Sequence, residues 1–164
     1  MSRTSPAIAR WLRAVLHVPV YLYRARLGFV FGHRFLLLVH RGRRSGRRYE
    51  TVVEVVSYGD ETDESVVLAG WGARTQWLRN VEAGGALAVE TAGRRFKPLV
   101  RRLEIDEAAA VLAEYERRNR LIAPIVRRVL SRLVGWRYDG SAASRRRLVI
   151  QLPMLAFRPD RSTG

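Results

Sequence analysis

The chain has 164 residues, 48% of them hydrophobic and 27% charged, with a formal net charge of +15 at pH 7, which suits one packed domain and excludes a disordered chain. It contains no cysteine, so disulfides, thiolate metal sites and cysteine nucleophiles are excluded together. The positive field would attract nucleic acid, anionic lipid or a polyanionic small molecule, and since Lys97 is the only lysine, arginine supplies almost all of it.

Residues 1–34 read as an N-terminal amphipathic helix and connector. Ser5 and Pro6 mark its start, Ile8, Trp11, Leu12, Val15 and Leu16 share one face, and Pro19 ends it. Arg10 and Arg13 lie off that stripe, a pattern that fits packing on the domain or lying on a membrane surface. No segment reaches the roughly 18 apolar residues of a spanning helix, and the N-terminus lacks the apolar region and cleavage site of a signal peptide. The expected location is cytoplasmic, with peripheral contact at the inner face of the membrane as an option.

Residues 35–158 read as one β-rich domain continuous with that helix. Phe35 to Val39 and Tyr49 to Tyr58 are strands joined as a hairpin across Gly42 to Gly46. Gly59 to Glu64 is an acidic, solvated tip before a third strand, Ser65 to Ala69. Gly70, Trp71 and Gly72 interrupt the pattern. Thr75 then caps a short helix in which Trp77, Leu78 and Val81 point the same way, and Gly84 and Gly85 stop it.

Ala86 to Thr91 and Arg94 to Glu104 form another hairpin across Ala92 and Gly93. Asp106 is expected to cap a helix reaching about Arg120, with Ala108, Val111, Leu112 and Tyr115 buried, and Pro124 opens a further helix that Gly135 closes. Arg147 to Phe157 reads as the last strand, with Pro153 suiting an edge or bulge. Mostly antiparallel strands, short connections and helices at the ends predict an α+β fold built on a small barrel.

The turn from Gly42 to Gly46 puts Arg43, Arg44 and the Ser45 hydroxyl between two permissive glycines, with Arg41, Arg47 and Arg48 thickening the patch. Guanidinium forks match phosphate oxygens and glycines let backbone N–H groups approach an anion. The alternative is a merely basic hairpin tip. The GxxxxGK[ST] spacing of a triphosphate-hydrolysing loop is absent. Ser45 near His40 lacks the strand-turn-helix elbow of a hydrolase, and His17, His33 and His40 lack metal-ligand spacing, so no metal site is expected.

The run Leu36 to Gly46, then Thr51, then Val66 to Gly72, then Trp77, Leu78, Arg79 and Asn80 resembles the deazaflavin-dependent nitroreductase family in order and spacing from about Phe35 to Arg102. The resemblance implies a split β-barrel that binds coenzyme F420, a deazaflavin with a phosphate and an oligoglutamate tail, or in some relatives another flavin such as FMN, or a lipid. It places Arg43, Arg44, Ser45 and Gly46 at the cofactor phosphate and Thr51 after them on the second strand. Ala69, Gly70, Trp71 and Gly72 would run beside the ring or its linker, with Trp77 and Asn80 on the helix that closes the site. The chain departs from the family at Arg48 and Tyr49, where relatives carry proline and arginine. Trp71 reads either as a ring-stacking residue or as rim packing, and Trp77 as core.

The implied activity is hydride transfer from reduced F420 to a quinone, nitroaromatic or similar acceptor, with Tyr115 as the one nameable candidate proton donor. A non-catalytic F420, flavin or lipid carrier on the same barrel, as monomer or homodimer, is the alternative. A third reading is a basic membrane-surface or nucleic-acid-binding protein using Arg117, Arg118, Arg120, Arg127, Arg128 and Arg132, which alternate with Ile125, Val129, Leu130 and Leu133. Since no nucleic-acid-binding module is recognisable, nucleic acid is not an expected partner.

Overall fold

The computed structural model describes residues 32–161, so the expected Ser5 to Pro19 helix, with Arg10, Arg13 and His17, lies outside the described residues. The strands are β1 Phe35–Arg41, β2 Arg48–Gly59, β3 Glu64–Leu68, β4 Ala86–Thr91, β5 Arg94–Phe96, β6 Pro98–Arg102 and β7 Met154–Pro159. Their order across the sheet is β5-β4-β1-β2-β3-β7-β6, with every pairing antiparallel. Only Lys97 separates β5 from β6, yet they occupy opposite ends of that order. The sheet must therefore curl until its ends approach, and the result is a nearly closed barrel. With its flanking helices the fold is α+β.

Strand periodicity divides the apolar residues between two cores. Leu36, Leu38, Val55, Val67, Leu155 and Phe157 form the barrel interior, together with Trp77, Leu78 and Val81 from the short helix α1 (Gln76–Asn80) and the tight turn after it. Their neighbours Val56, Val66, Met154 and Ala156 face outward under α2 (Ile105–Arg118), α3 (Ala123–Val134) and α4 (Ala142–Gln151). Strands buried on both faces read as unbroken apolar runs, as the sequences of β3 and β7 do. At about 25 cal/mol per Å² of apolar surface, these two interfaces supply the main stabilisation.

Several elements differ from expectation. The Arg94 to Glu104 strand is two strands, because Pro98 offers no N–H and opens β6, which pairs with β7 while β5 pairs with β4. Arg147 to Gln151 is helical, since Ser141 caps α4 by accepting a hydrogen bond from Ser144 N at 3.2 Å, and this local start overrides the β-branched Val149 and Ile150. β7 lies between β3 and β6 in the sheet interior, not at an edge, and Pro153 precedes it. Asp106 sits in the first turn of α2, whose N-cap is Glu104; a carboxylate there still meets the positive end of the helix dipole. Thr75 does precede α1, but its hydroxyl donates back to the Gly72 carbonyl at 2.7 Å and makes no cap bond.

The acidic tip is only partly solvated. Asp63 accepts from Tyr58 Oη at 2.7 Å and pairs with Arg94, and Glu64 pairs with Arg101. Other local readings match the structure. Ala92 and Gly93 both have positive φ, 48° and 76°, and join β4 to β5. Gly135 at φ 78° closes α3 in the left-handed conformation.

Candidate functional site

The arginine turn is built by its own backbone. Beyond the last β1–β2 pair, Arg41 with Arg48, Gly42 N donates to Arg47 O and Gly46 N donates to Gly42 O, both at 2.8 Å. Gly46 has φ +65°, which suits glycine. Gly42 shapes the turn for a different reason: a Cβ there would stand 2.5 Å from Ser45 Oγ and 2.7 Å from Tyr49 Cε2 and would displace both side chains. The Ser45 hydroxyl instead meets Tyr49 Oη at 3.1 Å and accepts from Arg47 N at 3.3 Å, while the Tyr49 ring stacks near His40 with centroids 5.8 Å apart. Among the described residues, the N–H groups of Arg44 and Ser45 have no acceptor.

A second close approach brings α1 to this turn. After Asn80 the chain tightens through Val81–Gly85, and a Cβ on Gly85 would lie 2.6 Å from the carbonyl oxygens of both Arg41 and Asn80. Without that side chain the end of β1 can lie against the end of the helix. Arg43 N and Arg43 Nη1 then donate to Asn80 Oδ1 at 3.2 and 3.1 Å, and Nη1 also donates to Gln76 Oε1 at 3.0 Å.

With its oxygen occupied by two donors, the Asn80 amide presents Nδ2 to His40 Nδ1, 3.2 Å away. His40 Nδ1 must then be the acceptor, which leaves the proton on Nε2 to donate to Thr51 Oγ1 at 3.2 Å. His40 is buried, and desolvation lowers its pKa below 6.5, in keeping with a neutral ring. A relay of Arg43, Asn80, His40 and Thr51 thus supports the turn from behind.

The electrostatics favour an anion. Partial desolvation first, then the charges of Arg79 and Arg44, lower the Arg43 pKa. Arg48, Arg94, Arg101, Arg102, Arg117 and Arg145 have carboxylate partners. Arg43, Arg44 and Arg79 have none among the described residues. An anion seated between them would relieve their mutual repulsion.

The other expected site residues are divided between the core, the surface and a separate cleft. Ala69 is fully buried in the barrel core and its N–H donates to Pro153 O at 2.9 Å. Gly70 faces Leu133, and Gly72, at φ +69°, lies against the Gln151 carbonyl at the end of α4. Trp71 projects, 73% exposed, and Trp77 packs in the core. Tyr115 donates to Glu54 Oε1 at 3.1 Å in a cleft of about 300 Å³ that also involves His33, Tyr58 and Asn119. Glu54 is six residues along β2 from Arg48, about 20 Å of extended strand, so the Tyr115 hydroxyl meets β2 away from the turn.

From sequence, His40 carries no expected site role, Tyr49 and Arg79 appear only in the comparison with the family pattern, and Gln76 is not singled out. One signal for His40 was available: it shares strand parity with the inward Leu36 and Leu38. Among the described residues no cluster of three or more His, Asp or Glu could hold a metal, and no helix is long and apolar enough to cross a membrane.

No family profile and no curated protein matches the chain. Among solved structures, one titled as an F420-H2 dependent reductase has 14% identity over 76% of this chain and 94% of its own, with a TM-score of 0.44. One described as a domain-swapped dimer has 14% identity over 92% of this chain and 98% of its own, with a TM-score of 0.48. A protein of unknown function from Agrobacterium tumefaciens has 14% identity over 87% of this chain and 55% of its own, with a TM-score of 0.47. Likenesses at this level assign no family.

Proposed function

We propose that this chain is a reductase that holds coenzyme F420 by its phosphate at the Arg43-Arg44-Ser45 turn and serves a quinone or nitroaromatic acceptor. The observation that carries the reading is the buttressed turn, in which Gln76 and Asn80 fix one arginine while a second arginine, two N–H groups and Arg79 have no acceptor among the described residues and can serve an anion. The ordered resemblance from Phe35 to Arg102 supplies the choice of a deazaflavin over other phosphorylated ligands.

The fit is good at the phosphate. The guanidinium of Arg44 would pair with phosphate oxygens, and the N–H groups of Arg44 and Ser45 would cap them. Arg43 would contribute charge from a fixed position, its orientation already set before ligand arrives. A bound reduced deazaflavin supplies a hydride to the acceptor, and the chain supplies position and exclusion of water. The fit for the ring is narrower than the family pattern implies, because the side chains of Ala69 and Trp77 are spent on the core and, of the residues that pattern names, Trp71 is the one with an exposed aromatic face. A quinone is lipid-soluble, so an enzyme acting on one would meet it at a membrane surface.

Titration of the full chain with F420, and separately with FMN, tests the reading. Micromolar binding of F420 is expected, weakened roughly tenfold to a hundredfold in Arg44→Ala by loss of a charged hydrogen bond of about 1.5–3 kcal/mol. Absence of F420 binding at micromolar cofactor refutes it. Turnover of menadione with reduced F420 separates a reductase from a carrier, which would bind and show none.

A further inference from the structure

α3 is apolar on two opposite faces. Leu130 and Val134 are buried in the core between the helices and the barrel, with Val126 and Leu133 partly covered, and Ala123 is buried at the start of the helix; this stripe accounts for the packing of the helix. Of the alternation expected from sequence, Leu130 and Leu133 therefore belong to the core. Ile125 and Val129, spaced i, i+4, lie on the other side, 65% and 49% exposed. The turn leading into the helix adds Ile122, 42% exposed, and Leu121, 91% exposed. Single exposed apolar residues are ordinary, whereas grouped exposed apolar residues rimmed by charge mark interaction surfaces.

The corner is held outward by an ordered turn. Asn119 ends α2 with its side chain donating to Tyr115 O at 2.8 Å, Ile122 N donates to Asn119 O at 3.0 Å, and Val126 N donates to Ile122 O at 3.0 Å. Pro124 sits in the first turn of α3, where it rigidifies the entry. Leu121 thus projects from a fixed backbone.

The charge around this patch has one sign. Arg120 stands beside Leu121, and Arg128 and Arg132 share the outward face with Ile125 and Val129, at i+3 and i+7 from Ile125. None of the three has a carboxylate partner among the described residues. Glu114 is engaged by Arg117 and Arg118, and the buried Glu116 by Arg127 and Arg145. A cleft of about 350 Å³ beside the corner is lined by Glu116, Arg117, Arg120, Arg127 and Arg145, four cations to one anion.

We infer that the α2–α3 corner is a membrane-docking surface, with Leu121, Ile122, Ile125 and Val129 entering the headgroup boundary of an anionic bilayer and Arg120, Arg128 and Arg132 pairing with lipid phosphates. Charge complementarity selects the occupant. An acidic protein groove would match the arginines but would need a concave partner for a protruding tip, whereas a bilayer accepts protruding apolar side chains ringed by cations. The surface is remote from the Arg43 turn in the chain and does not depend on what that turn binds.

Co-sedimentation of the full chain with phosphatidylcholine vesicles, with and without phosphatidylglycerol, tests the inference. Binding is expected only with the anionic lipid, weakened by salt, and reduced about tenfold or more in a Leu121→Asp, Ile125→Asp double variant. Arg128→Gln with Arg132→Gln should produce a comparable loss with the apolar tip intact. Circular dichroism and thermal melting should show both variants folded, since all four side chains are exposed. Vesicle binding unchanged in both variants overturns the inference and assigns the lipid contact to another part of the chain. A change from dimer to monomer in the apolar variant, with vesicle binding absent from the wild type, overturns it in favour of a self-interface.

Discussion

The Asn80 amide and the His40 imidazole meet at 3.2 Å, Nδ2 to Nδ1, and this contact joins the inside of the barrel to the arginine turn outside it. Asn80 satisfies donors on one side and an acceptor on the other, so no smaller or apolar residue can replace it. Asn80→Ala is expected to lower unfolding free energy by about 1–3 kcal/mol, the cost of buried polar groups left unmet at His40 Nδ1 and Arg43 N. Thr51→Val removes only one end of the relay and should cost about 1 kcal/mol. Urea unfolding of the two variants at neutral pH measures the order, and equal losses would refute it.

The same contact makes stability depend on pH. The folded pKa of His40 lies below 6.5 because burial disfavours the imidazolium. The unfolded chain therefore takes up this proton first as pH falls, and the contribution is fully present above pH 6.5 and lost as pH drops through 6.5 toward the folded value. Protonation of Nδ1 also sets two donors face to face, and flipping Asn80 to relieve them would take the acceptor away from Arg43. His40→Gln should flatten the difference in stability between pH 7.5 and pH 5 relative to wild type. An unchanged difference would mean that His40 does not titrate in this window.

How much of this was legible in sequence depends on range. The glycine positions, the Ala92-Gly93 hairpin and the unbroken apolar runs of β3 and β7 are local signals, and each reads directly from residue type. The Asn80–His40 contact spans forty residues in the chain, and nothing local announces it. The helix at Arg147 to Gln151 was misread because Val149 and Ile150 favour strands while the deciding cap at Ser141 lies six residues earlier. For the candidate site, the cluster at Arg43 could be read from charge and glycine, but its support by Gln76 and Asn80 could not, nor could the placing of Gly70 and Gly72 against the ends of α3 and α4.

Glu116 offers a test of the helical layer. Its side chain is 4% exposed and is held by Arg145 Nε at 2.8 Å and Arg127 Nε at 3.3 Å, one oxygen to each. Removing one partner of a buried pair leaves charge uncompensated, here on two arginines that are themselves part-exposed and so recover some hydration. Glu116→Ala is expected to destabilise by about 2–4 kcal/mol, and Glu116→Gln by less because it keeps an acceptor for one guanidinium. Thermal melts should rank wild type above Gln above Ala, with F420 binding unchanged at temperatures where the variants are folded. A loss of cofactor binding in folded Glu116→Gln would contradict the assignment of the phosphate to the Arg43 turn.

Gly42 and Gly46 bound the same turn for different reasons, and their alanine variants should separate shape from strain. In Gly42→Ala the new Cβ would press on Ser45 Oγ and on the Tyr49 ring, at 2.5 and 2.7 Å before relaxation. Both side chains are exposed and can swing into solvent, so stability should fall by less than about 1 kcal/mol, the range of a lost exposed contact. The swing breaks the Ser45–Tyr49 bond and lifts Tyr49 from His40, which changes the shape of the loop that carries Arg44. Gly46→Ala meets nothing within 4 Å but holds φ +65°, a conformation that costs an L-residue roughly 1–2 kcal/mol. That strain would lower stability while leaving the Arg43 to Ser45 arrangement intact as long as the chain stays folded. F420 titration alongside urea unfolding should therefore show Gly42→Ala losing more affinity than stability, about tenfold in Kd, and Gly46→Ala the reverse. If the two variants lose affinity equally, the turn is recognised by its charge alone, and the fit of Ser45 and Tyr49 around Gly42 has no part in binding.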